Sequence, residues 1–249
     1  MLTTRPPLVI NYLTDADYEP THDAMLARTL ERVEQKKQGT TEQEKITPDE
    51  LWIVDHNNVY TLGQAGKPEH ILQRDTTPII KTDRGGQVTW HGHGQLVVYF
   101  LFDLNGLGWG VRDLVTHAEQ IIIATVMPYL PSGFIAKARQ DAPGVYIYNA
   151  DGLELGKIAS LGFKIKHGFS YHGIALNVSN DLTPFNLINP CGYAGMTMLR
   201  LADFAPVTLE QVTKDFIEQG KMGMQSGQGF YEYPNPAYKN PNFLSNNDQ

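Results

Sequence analysis

Disulfides are the first thing this chain cannot make within itself: its 249 residues include one cysteine, Cys191. That excludes a disulfide framework and makes a reducing compartment the expected home. Long hydrophobic runs are missing too. The densest, over 96–104, is interrupted by Asp103 and has strand length, well short of the roughly 18 residues a membrane helix needs. Positive charge is scarce: 20 Lys+Arg against 27 Asp+Glu leave a net charge of −7. A duplex held by phosphate neutralisation is therefore not the expected partner. Residues 1–11 show no charged region leading into an export segment. These absences predict a cytoplasmic chain that engages neither nucleic acid nor membrane. The length suits one large domain over 1–219 with a core that needs no staples. An irregular tail, rich in Gly, Asn, Pro and Tyr, is expected over 220–249.

What is present reads as strands with a few helices between them. Residues 8–13 form a strand candidate, and from Asp15 onward Met25, Leu26, Leu30 and Val33 recur at helical spacing. The stretch 34–47 is nearly free of apolar residues and reads as a solvated loop. Strands are expected at 51–55, 59–62 and 79–82, and as a fully buried run at 96–102. Val111, Leu114, Val115, Ala118, Ile121, Ile122 and Val126 mark one face of a helix over 111–130, ended by Pro128 and Pro131. Residues 145–148, 157–165 and 172–178 read as an antiparallel meander, and 208–219 as a last helix. The fold class is α+β, with a mixed, mainly antiparallel sheet and helices covering one face.

Three segments carry candidate chemistry. Cys191 stands between Pro190 and Gly192. A lone cysteine is often an inert buried hydrophobe, but a Pro/Gly loop can turn backbone amides toward a thiolate, and both readings stay open. Lys157 is either a surface lysine of an edge strand or, among the small residues Gly156, Ala159, Ser160 and Gly162, a cation on a wall that other groups approach closely. An ammonium beside a thiol favours the thiolate, the nucleophilic form. Arg84-Gly85-Gly86 lacks the Lys-Ser/Thr of a Walker loop and any dinucleotide fingerprint. It is a tight turn or a wall of backbone donors for an acyl or pantetheine thioester. His91 and His93 alternate along the chain, yet no cysteine or closely spaced carboxylate completes a metal site, so neither metal nor cofactor is expected.

Taken together, 84–95 (RGGQVTWHGHGQ), 142–145 (APGV), 157–162 (KIASLG), 172–178 (HGIALNV) and 181–195 (DLTPFNLINPCGYAG) resemble the octanoyltransferases of lipoate biosynthesis. The resemblance spans about Leu51 to Leu201. It implies a fold shared with lipoate and biotin protein ligases. It also implies transfer of an octanoyl chain from acyl carrier protein to a lysine of lipoyl domains, those of 2-oxoacid dehydrogenase acyltransferase subunits and of the glycine cleavage H protein, with no nucleotide. By the same resemblance Cys191 is the acyl-thioester nucleophile and Lys157 the residue that tunes it. Arg84, Gly85, Gly86, Gln87, Val88, Thr89, Trp90, His91, Ser160, Leu161, Gly162, Gly173, Ile174 and Ala175 would line the substrate pocket. Lys137, Arg139, Lys164 and Lys166 are candidates to meet the acidic face of the carrier. The chain departs from the family pattern at His93, where Pro is usual, at Trp90, where Tyr is frequent, and at Ile174, where Leu is usual; the stretch 34–47 and the tail look like additions. Two other functions compete. One is an ATP-dependent lipoate protein ligase, which does not need a cysteine nucleophile; the other is a noncatalytic carrier-binding module.

Overall fold

Ten strands and four α-helices occupy the described residues, 6–41 and 46–224, of a computed structural model. In chain order they are β1 (Val9–Ala16), α1 (Tyr18–Gln38), β2 (Glu50–His56), β3 (Val59–Leu62), β4 (Ile79–Lys81), β5 (Val88–His91), β6 (Gln95–Leu101), α2 (Leu104–Leu107), α3 (Val111–Val126), β7 (Ile135–Ala138), β8 (Gly144–Tyr148), β9 (Glu154–Lys166), β10 (Phe169–Asn177) and α4 (Leu209–Met224). Seven strands make one sheet in the order β1-β2-β6-β10-β9-β8-β7, and β4-β3-β5 make a second. In the large sheet only β1–β2 is parallel, so the expected mixed, mainly antiparallel sheet is what forms. The meander is β8-β9-β10.

Side-chain alternation on the central strand explains the layers. All seven residues of β6 are buried. Leu96, Val98 and Phe100 face Leu114, Ala118 and Ile122 of α3 and Val212 and Phe216 of α4. Val97, Tyr99 and Leu101 face Met25 of α1. Helices therefore cover both faces, not the single face expected. The α1 contact was hard to read because, beside Met25 and Val33, the helix buries Thr21, Thr29 and Arg32.

The solvated loop expected over 34–47 begins later than its composition implied, because α1 continues to Gln38. Glu, Gln and Lys are good helix formers, and the i,i+4 bonds Gln35–Glu31 and Gln38–Glu34 support the extra turn. Thr47 is buried and accepts from Arg32 Nε at 3.1 Å. The helix expected over 111–130 is α-helical to Val126 and finishes as a 3-10 turn, Met127–Tyr129, carrying Pro128. The last helix runs past 219 to Met224; the rest of the expected tail, 225–249, lies outside the described residues. Among the described residues no helix is long and apolar enough to cross a membrane.

Candidate active site

A tight turn sets the position of Cys191 at the cavity. Gly192 N–H donates to Asn189 O at 2.9 Å, and Cys191, at φ 56 and ψ 14, follows Pro190. Proline at the second position and a positive φ at the third are the marks of a type II turn, in which glycine normally takes Cys191's place. Holding a non-glycine residue there costs on the order of 1 kcal/mol, so the surroundings must enforce it. Asn189 N–H is tied to His70 O at 2.8 Å, and Ile188 bridges Ile71. The thiol sits half-buried in this turn and not in a hydrophobic core.

Lys157 meets it from the sheet. The residue lies on β9, between β10 and β8, and is 2% exposed, so the reading as a surface lysine of an edge strand does not hold. Its Nζ donates to Pro143 O at 2.9 Å and lies 3.3 Å from Cys191 Sγ. The ammonium stands 5.2 Å from the centre of the Tyr146 ring. Gly144 makes room for it: a Cβ there would lie 2.3 Å from Lys157 Cε, and the backbone has φ 144. The arrangement can stabilise a thiolate and the same sulfur as a leaving group.

The pair opens into a cavity of about 350 Å³. Of the pocket residues expected from sequence, Arg84, Gly85, Gly86, Gln87, Val88, Thr89, His91, Ser160, Leu161, Gly162, Gly173, Ile174 and Ala175 all line it. Trp90 does not. On β5 it points with Val88 into a separate small core beside Phe185, with ring centres 5.7 Å apart, while Thr89 and His91 face the cavity. Alternation along β5 sends Trp90 to the face opposite Thr89 and His91, while Val88, the first residue of the strand, belongs both to the small core and to the cavity wall.

Arg84 is a buried cation held entirely by neutral oxygens. It donates to Thr61 Oγ1 at 3.0 Å, Thr61 O at 2.7 Å, Gln87 O at 2.6 Å and Gly85 O at 2.8 Å. These bonds lock the Arg84-Gly85-Gly86 turn against β3, and burial pulls the guanidinium below its ordinary value. His91 is pushed down to about 3, chiefly by burial and then by His56. Its Nδ1 lies 2.8 Å from Gln95 Oε1, while Gln95 Nε2 donates to Asn177 Oδ1 at 2.9 Å. Gln95 therefore accepts, Nδ1 carries the proton, and Nε2 is left as a lone-pair acceptor.

His91 and His93 do not share a site: His91 is buried, whereas His93 is exposed and meets Asp55 at 3.1 Å. Two groupings of ligand-type atoms exist among the described residues, His22–Asp83–His172 and Asp15–Asp55–His93. In the first, both imidazoles already hydrogen-bond Asp83, at 3.1 and 2.8 Å. Arg139, a candidate for carrier contact, is committed to Asp141 and Glu154.

The Lipoyl protein ligase A/B catalytic domain family matches residues 29–221. The octanoyltransferase of Psychrobacter arcticus is 59% identical over a stretch covering 85% of this chain and 82% of that one. That of Vibrio cholerae serotype O1 is 48% identical, covering 85% and 89%. The chain belongs to the octanoyltransferase family. Its activity class is that of an acyltransferase, moving an octanoyl group in protein lipoylation. Two solved structures share the fold at 12% identity: lipoate protein ligase A bound with ATP (TM-score 0.56, covering 88% of this chain and 85% of that one) and the bipartite lipoate protein ligase of Thermoplasma acidophilum (0.55, 86% and 83%). At that identity the likeness concerns the fold alone.

Sequence reading missed part of this octanoyltransferase's cavity wall: Tyr18, Val97, Tyr99, Val111, Val115, Phe163 and His172. Val97 and Tyr99 share one face of β6 by the two-residue repeat of a strand, and Val111 and Val115 share one face of α3 by i,i+4 spacing, but which faces meet the cavity was set by the fold. Tyr18, far from the other lining residues in sequence, carried no local signal, whereas His172 opens the 172–178 segment already singled out in the sequence.

Proposed function

We propose that this octanoyltransferase takes its acyl group from acyl carrier protein and passes it through Cys191 to a lysine of a lipoyl domain, in the cytoplasm, where a lone thiol stays reduced. The acceptors are the lipoyl domains of 2-oxoacid dehydrogenase acyltransferase subunits and the glycine cleavage H protein. The observation that carries this reading is the 3.3 Å approach of Lys157 Nζ to Cys191 Sγ at the wall of the cavity. In the first step the Cys191 thiolate attacks the carbonyl of the carrier-bound thioester. A Cys191–acyl bond forms, the bond from the carbonyl to the pantetheine sulfur breaks, and pantetheine leaves as its thiolate. One thioester replaces another, so no nucleotide is needed.

In the second step the neutral amine of the acceptor lysine attacks acyl-Cys191. The amide bond forms, the Cys191–acyl bond breaks with the thiolate leaving toward the Lys157 ammonium, and the amine's proton passes to solvent, balancing the proton that the pantetheine thiolate takes up after the first step. His91 Nε2 offers the incoming amine a hydrogen-bond acceptor without taking its proton. Val97, Val115, Leu161, Phe163 and Ile174 receive the acyl chain. At about 0.8 kcal/mol per buried methylene, that contact anchors the substrate by several kcal/mol.

The test is incubation with octanoyl carrier protein and no ATP, followed by mass spectrometry. An octanoyl adduct on Cys191 that disappears when a lipoyl domain is added, as octanoyl-lysine appears, is the expected result. Product formed only with ATP, or product formed with no adduct at any time, overturns it in favour of a ligase. Failure of both turnover and adduct favours a binding module.

A further inference from the structure

The carbonyl that holds Lys157 belongs to a peptide whose other edge is also held. Pro143 O accepts from Lys157 Nζ at 2.9 Å, and the N–H of the same peptide unit, on Gly144, donates to Glu119 Oε1 at 2.9 Å. A peptide unit is planar and almost always trans, with its N–H and C=O on opposite edges, so fixing one edge orients the other. From helix to thiol the order is Glu119 carboxylate, Pro143–Gly144 peptide, Lys157 ammonium and Cys191 sulfur, the last step being 3.3 Å.

Glu119 lies on α3 and is 8% exposed. A buried carboxylate is costly unless bonded, and burial pushes its carboxyl up, opposed by the Gly144 N–H and the Lys157 cation. The neighbouring backbone is pinned as well, since Tyr146 Oη donates to Ala142 O at 3.1 Å.

We propose that Glu119 is a positioning residue for Lys157, orienting the Pro143 carbonyl through the Gly144 N–H and so holding the ammonium against Cys191. The proposal rests on the reading of Lys157 and Cys191 as the reacting pair. Bonds in such a chain polarise one another: the carboxylate draws on the N–H, and the carbonyl oxygen becomes a better acceptor for the ammonium. Glu119 is not among the residues that line the cavity, so its role is through the peptide and the lysine. It supports the lysine as the third member of a catalytic triad supports its base, with a peptide group in between.

The experiment uses the full chain with Glu119→Ala and Glu119→Gln, measuring kcat and KM with octanoyl carrier protein and the rate of iodoacetamide alkylation of Cys191 near neutral pH. Glu119→Ala is expected to lower kcat about tenfold or more, to leave KM within about twofold, and to slow alkylation, because small misplacements of reacting groups are expensive. Glu119→Gln, whose amide oxygen still accepts from Gly144, is expected to keep kcat within about threefold. Where Glu119→Ala does not fold, Glu119→Asp replaces it. One methylene shorter, its carboxylate no longer reaches Gly144, and the same losses are expected. Wild-type alkylation and kcat in the Ala or Asp variant, or a Gln variant as impaired as either, overturns the proposal. Lys157→Met separates the two levels. If it alkylates slowly while Glu119→Ala is normal, only the positioning role fails; if it alkylates like wild type, the reading of the pair fails.

Discussion

Two walls of the cavity hold their titratable groups differently, the second beside the buried Arg84 cation. On one, the Lys157 ammonium stands against the Cys191 sulfur and the Pro143 carbonyl. On the other, Tyr18, Tyr99, His91 and His172 form a stacked and edge-on array with His56 and His22 behind it. Burial holds His56, His91 and His172 below the ordinary imidazole range, and raises Tyr18 and Tyr99 above the ordinary phenol range. All five are therefore neutral near pH 7. His56, His91 and His172 belong to the usual acid–base type and are held neutral here, while the proposed chemistry falls to a lysine and a cysteine. In the proposed reaction the carbonyl suits the charged wall and the incoming amine meets the neutral one, while the acyl chain is taken by the apolar residues Val97, Val115, Leu161, Phe163 and Ile174.

The largest effect that tests this contrast is Cys191→Ala, expected to cut transfer about 10³-fold or more and to abolish the acyl adduct. Transfer at wild-type rate would end the assignment of a chemical wall. Lys157→Met is expected to cost about 10²-fold in transfer and to slow alkylation of Cys191, while carrier binding persists. For His91→Phe the expected loss is smaller, about tenfold, because it removes one neutral hydrogen bond. A loss equal to that of Lys157→Met would make the histidine wall chemically active.

The neutral wall also predicts acid sensitivity. His91 titrates near 6.5 when unfolded and at about 3 when folded, so between these values the unfolded chain binds a proton that the folded chain does not. Stability should therefore fall as pH drops below about 6.5, with a slope of up to about 1.4 kcal/mol per pH unit from this residue. His56 and His172 act with the same sign. Denaturant unfolding between about pH 7 and pH 4.5 measures it, and His91→Phe should flatten the slope; an unchanged slope would show that His91 is not buried neutral. The smallest effect is His93→Pro, expected to leave transfer within about threefold, since His93 is exposed and its contact with Asp55 lies at the surface. A loss near that of Lys157→Met would give this surface residue a place in the reaction.

Much of the fold was legible because periodicity is local. The continuous apolar run of β6 and the i,i+3/i+4 face of α3 survive in the sequence as patterns of apolar residues. The last turn of α1 was not legible, because its polar side chains stabilise one another along the helix and leave no apolar stripe. β7, four residues of Ile135–Ala138, was too short to show alternation.

The sequence by itself determined the chemical repertoire: one thiol, a lysine among small residues, a glycine-rich turn, and no excess of positive charge. Only the tertiary structure decided that Lys157 is buried beside Cys191, that Trp90 turns away from the cavity, and that Glu119 reaches the peptide holding the lysine. The physical reason is sequence distance. Lys157 and Cys191 stand 34 positions apart and Glu119 and Gly144 stand 25 apart. No local periodicity encodes such encounters; sheet order and register create them, by setting β9 against β8 and packing α3 over both.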